Sequence, residues 1–133
     1  MKSLKILLIE DDDLILDLYE RLLTQQGFEV DKAVDGDSGL AKAKQELPDV
    51  ILLDILLPGK SGIEVLHELK TDEATAQIPV VILTNYAGEQ YAKQSLDGGA
   101  TGYIIKSSQP PNEIVKIVRD VCGEELPIIK QDK

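Results

Sequence analysis

The chain has 133 residues, 24 acidic and 14 basic, with a formal net charge of −10 and 43% hydrophobic residues. That length suits one domain with a proper core, and it holds neither an apolar run of the roughly 20 residues a membrane span needs nor an N-terminal secretion signal. The expectation is therefore a cytoplasmic protein: the single cysteine, Cys122, suits a reducing compartment, and the negative charge disfavours direct binding to nucleic acid.

Residues 4–9 form a short apolar run that ends abruptly in Glu10, Asp11, Asp12 and Asp13. Leu14, Ile15, Leu18, Leu22 and Leu23 then recur at helical spacing, and Gly27 stands where a helix C-cap belongs. Residues 28–34 read as a strand, Asp35-Gly36-Asp37 turns into a second helix carrying Leu40, Ala43 and Leu47, and Pro48 stops it. The continuous apolar run 50–53 predicts a strand covered on both faces, closing at Asp54. A loop with Pro58, Gly59 and Gly62 leads into a helix with Ile63, Leu66 and Leu69. Pro79 opens a strand over 80–84, a short polar helix follows at about 88–97, and 103–105 form the fifth strand. Pro110-Pro111-Asn112 start a last helix with Ile114, Val115, Ile117, Val118 and Val121 on its apolar face.

Strands alternating with helices, each crossover long enough to hold one, predict a three-layer α/β sandwich around a doubly wound parallel sheet. Residues 1–123 are expected to form the domain and 124–133 a tail or linker stub. Ligands in such sheets bind at the carboxyl ends of the strands. Those ends present Glu10 and Asp11, then Asp54, then Thr84, then Lys106. Singly each has an ordinary reading: an acidic helix N-terminus, a turn cap, a strand-ending threonine, a surface lysine. Jointly, at the same end of successive strands, they predict one site. Crowded carboxylates call for a counter-ion, and a hard divalent cation such as Mg²⁺ suits oxygen donors. Such an ion can bridge to phosphoryl oxygens. Asp54, central and single, is the expected nucleophile for an aspartyl phosphate, with Lys106 a positive point charge and Thr84 a hydroxyl donor.

At these residues the chain resembles the receiver domain of two-component response regulators. The motifs are Ile-Leu-Leu-Ile-Glu-Asp-Asp, Asp54-Ile-Leu-Leu-Pro-Gly, Val-Ile-Leu-Thr84 and Gly-Ala-Thr-Gly-Tyr103-Ile-Ile-Lys106, within a match from about Lys5 to Val121. The resemblance implies a flavodoxin-like sheet of order 2-1-3-4-5. It further implies Asp54 as phosphoacceptor, Asp11 as a direct Mg²⁺ ligand, Glu10 acting mainly through water, and the Leu56 backbone carbonyl as a further ligand. Thr84 and Tyr103 match the switch pair, and Lys106 the phosphate-binding lysine. A sensor histidine kinase or phosphotransfer protein would be the donor and an unknown protein the downstream partner, with the chain a monomer or a weak phosphorylation-dependent dimer. The family's activity is self-phosphorylation and self-dephosphorylation rather than turnover. The alternatives are a phosphorylation-independent binding module, or a receiver piece of a longer DNA-binding regulator or hybrid kinase. Two departures stand out: Ser107 replaces the usual proline after the lysine, and Asn85 is bulkier than the usual residue after Thr84.

A haloacid-dehalogenase-type phosphatase would need a second aspartate at position 56, where this chain has leucine. A dinucleotide-binding turn would need glycines where the four acids stand.

Overall fold

The computed structural model describes residues 4–84, 89–106 and 110–122. In chain order the elements are β1 (Lys5–Ile9), α1 (Asp13–Gln25), β2 (Glu29–Ala33), α2 (Gly36–Glu46), β3 (Val50–Asp54), α3 (Gly62–Thr71), β4 (Val80–Thr84), α4 (Glu89–Asp97), β5 (Gly102–Ile105) and α5 (Glu113–Val121). The strands form one parallel sheet in the order β2-β1-β3-β4-β5. This is the expected doubly wound, flavodoxin-like architecture. No helix among the described residues is long and apolar enough to cross a membrane.

Strand alternation divides the core into two layers. Leu7, Ile9, Ile51, Leu53, Val80 and Ile82 pack under α2 and α3, with Leu40, Ala43, Val65, Leu66 and Leu69. Ile6, Leu8, Val50, Leu52, Val81, Leu83 and Ile104 pack under α1 and α5, with Leu16, Tyr19, Leu23, Ile114 and Val118. Central strands buried on both faces explain why 50–53 carries no alternation.

Local signals set the helix ends. Asp12 caps α1, its carboxylate accepting from the Leu14 and Ile15 N–H groups, and Asp35 caps α2 through the Ser38 N–H. Ser61 and Glu64 make a reciprocal capping box at α3. At the opposite end of α5, the Arg119 guanidinium lies 5.4 Å from the Phe28 ring centroid, fastening that helix to the start of β2.

The residues recurring at helical spacing, Leu14, Ile15, Leu18, Leu22 and Leu23, do form a helix, but they are not all on its buried side. The buried stripe is Leu16, Tyr19 and Leu23, with Ile15 and Leu22 at its margins. Leu14 is 80% exposed and Leu18 is also exposed. A helix with this many apolar residues cannot bury them all against one sheet face, and Tyr19 brings the larger apolar body inward. The expectations for Asn85, for the Lys106–Ser107 peptide bond and for the 124–133 tail lie outside the described residues.

Candidate functional site

β1 and β3 are neighbours in register, and β3 ends in Asp54 beside the point where β1 runs into Glu10 and Asp11. Glu10 directly follows β1, Asp54 ends β3 and Lys106 directly follows β5, all at the carboxyl edge of the sheet. Each of Glu10, Asp11 and Asp54 offers an oxygen within 4.8 Å of the others. Glu10 and Asp54 are buried and Asp11 is exposed, so the cluster opens to solvent along one wall.

The electrostatics follow from that burial. Glu10 is almost wholly enclosed. One of its oxygens accepts from the Asp12 N–H at 3.1 Å and the other from Lys106 Nζ at 2.6 Å. The ammonium of Lys106 stands farther, 3.7 Å, from Asp54 Oδ2. Burial pushes the Asp54 carboxyl up to about 7, and the charge of Glu10 pushes the same way, while Lys106 and the Leu56 N–H act against them. Tyr19, beneath the cluster on α1, feels the same environment: its phenol is raised by burial first and by the charges of Glu10 and Asp54 next.

The loop after β3 is fitted tightly to the cluster. The Gly62 N–H donates to the Ile55 carbonyl at 2.7 Å, and a side chain at position 62 would collide with the Asp54 carbonyl oxygen and the Ile55 Cα. Leu56 lies in this loop with its side chain 49% exposed, while its N–H serves the Asp54 carboxylate.

Of the residues singled out from sequence, Glu10, Asp11, Asp54 and Lys106 are thus gathered at one rim. Thr84 ends β4 at the same carboxyl edge and is fully buried, and Tyr103 on β5 packs against the α2/α3 core layer. The β4–β5 register sets Tyr103 opposite Ile82, two residues before Thr84. The lysine loop is held to this strand by the Lys106 N–H, which donates to the Thr84 carbonyl at 2.7 Å. Sequence reasoning missed Tyr19 and the steric role of Gly62. The Leu16–Tyr19–Leu23 spacing was the available signal for the first.

The donor set is three carboxylates, all hard oxygen ligands, close enough together for one small divalent cation and facing solvent on one side; this fits Mg²⁺.

The family model of the response regulator receiver domain matches residues 6–119. The response regulator PleD of Caulobacter vibrioides is 40% identical over 104 residues, which are 78% of this chain and 23% of that protein, so the chain spans about a quarter of this relative's length. Among solved structures, a CheY-like response regulator receiver domain protein of Methanospirillum hungatei is 30% identical with a TM-score of 0.85, covering 92% of this chain and 96% of that one. The receiver domain of a sensor histidine kinase of Pseudomonas aeruginosa, solved with a magnesium ion coordinated in its active-site cleft, is 26% identical with a TM-score of 0.83, covering 92% and 99%. With the parallel sheet, its strand order and the acid cluster at its carboxyl edge, these matches place the chain in the response regulator receiver domain family.

Proposed function

We propose that the chain is a phosphoryl-accepting signalling switch, with Asp54 the acceptor. The observation that carries this is the convergence of Glu10, Asp11 and Asp54 oxygens within 4.8 Å beside the Lys106 ammonium. A histidine kinase or phosphotransfer protein donates the group. An Asp54 oxygen forms the new bond to phosphorus while the bond from phosphorus to the donor nitrogen breaks. Glu10, Asp11, Asp54 and the Leu56 carbonyl would hold Mg²⁺, which when bound neutralises charge developing on the phosphoryl oxygens. Lys106 supplies a second positive charge at the same rim, and the Thr84 hydroxyl donates to a phosphoryl oxygen. Tyr103 on β5 follows that movement, so a downstream protein reads the β5 and α5 surface.

Residues 1–123 act as the receiver unit and 124–133 as an appended tail. The setting is cytoplasmic, the domain reaches partner proteins rather than nucleic acid, and the chemistry is confined to its own phosphorylation and dephosphorylation. The test is incubation with MgCl₂ and a small phosphodonor, read by intact mass. An acid-stable, base-labile phosphoryl adduct is expected on the parent chain and none on Asp54→Asn; an undiminished adduct on the variant would falsify Asp54 as the acceptor.

A further inference from the structure

The loop between β3 and α3 carries Leu56, Leu57, Pro58, Gly59, Lys60 and Ser61, and Gly59 adopts φ +75. Neither sheet nor helix hydrogen bonding holds these residues, so other contacts must fix their path. At the far end they are held by the Ser61–Glu64 capping box and the bond from Gly62 to Ile55. In the middle, Lys60 reaches two helices at once. Its ammonium pairs with Glu68 on α3 and lies 3.5 Å from Asp37 on the first turn of α2. Its main chain is also wedged against α2: a side chain built at Gly36 would stand 3.1 Å from the Lys60 Cβ and carbonyl oxygen and 2.8 Å from Val65.

We infer that Lys60 is a positioning residue for the divalent-cation site, holding the β3–α3 loop against α2 and α3 so that the main chain of Leu56 keeps its place next to Asp54 and the acid cluster. The inference rests on the metal-site reading of that cluster. Lys60 itself is not a ligand, and its own charge works against a cation. Two effects of opposite sign are therefore separable. If Lys60 acts on the site only through space, removing its positive charge tightens cation binding. If it acts by holding the loop, removal weakens binding. Glu68 provides the complementary case, since losing its negative charge and losing the tether both weaken binding. Asp37 is largely exposed and Lys60 and Glu68 are partly so, and ion pairs that water still reaches add little to global stability, so the effect on the metal can be read without unfolding the domain.

The experiment is a calorimetric MgCl₂ titration of the full chain and of Lys60→Met, Lys60→Arg and Glu68→Gln, with the amide resonances of Leu56 and Gly59 followed in parallel. Expected are losses of affinity of roughly three- to tenfold in Lys60→Met and in Glu68→Gln, recovery in Lys60→Arg, and loss of the Mg²⁺-induced shifts at Leu56 in Lys60→Met. The loss is set below the ten- to hundredfold typical of groups that touch a ligand directly. Metal-free urea midpoints of all variants should match the parent. Tighter or unchanged binding in Lys60→Met overturns the tether, as does a loss that Lys60→Arg fails to recover. A parent chain that binds no Mg²⁺ overturns the metal-site reading itself, a result distinct from any pattern among the variants.

Discussion

Lys106 in this structure is committed to Glu10: its ammonium lies 2.6 Å from the Glu10 carboxylate and 3.7 Å from that of Asp54. Asp54 is therefore the less well compensated of two buried acids, and its carboxyl rises to about 7, chiefly through burial and then through the charge of Glu10. Between about pH 4 and 7 the folded chain holds a proton there that the unfolded chain has lost. Stability from this group is full at low pH, falls as pH rises through that window, and is flat above it. Asp54→Asn removes the ionisation. It should match the parent near pH 4 and exceed it at pH 8 by about 1–3 kcal/mol, read by urea unfolding in the presence of a chelator. A stability difference that does not change with pH would refute the burial account.

Gly62 should tolerate no side chain. Its N–H is engaged by the Ile55 carbonyl, and a Cβ would meet the main chain of Asp54 and Ile55 rather than any flexible group. Gly62→Ala is expected to cost about 2–4 kcal/mol and to weaken Mg²⁺ binding, because α3 must back away from Asp54. Chemical denaturation and a metal titration on the same sample check both parts.

Ser95 on α4 is fully buried, and its hydroxyl has no hydrogen-bond partner among the described residues. Removing an unsatisfied buried hydroxyl stabilises. Ser95→Ala should therefore gain about 1 kcal/mol, a rise of about 3–5 °C in Tm for a domain of this size. A fall in Tm would mean that the hydroxyl is serving a partner after all.

Leu47 ends α2 in the left-handed region at φ 47, ψ 63, just before Pro48, which disfavours further helix at the preceding residue. Its side chain is 55% exposed, so little packing offsets the backbone strain. Leu47→Gly should raise stability by about 0.5 kcal/mol after the added freedom of the unfolded chain is counted. Leu47→Ala, which keeps the Cβ, should not. Urea midpoints of the pair decide this.

Much of this architecture was legible because its signals are local. Apart from β2, Glu29–Ala33, which is mostly polar, the strands are short, apolar and bounded by Gly, Pro or acids, and Glu10, Asp11, Asp54 and Lys106 each stand at a strand end, where a parallel sheet gathers chemistry. The face that α1 presents was not legible, since Leu14 and Leu18 are as apolar as the residues that are buried and only packing selects among them. Nor could the sequence show that Lys60 meets Asp37 and Glu68, or that Ser95 lacks a partner among the described residues; both depend on tertiary placement. That Tyr103 packs in the α2/α3 layer was within reach, by counting alternation along β5 from Ile104.

The β3–β4 register gives the carboxyl edge of the sheet a short main-chain link. Asp54 is the Cα partner of Leu83, and Thr84 is the next residue along β4. The Thr84 carbonyl in turn accepts from the Lys106 N–H. The ends of β3, β4 and β5 are thus joined through backbone, so a shift of main chain at Asp54 reaches the lysine loop as a change of shape, insensitive to the salt that would screen a charge.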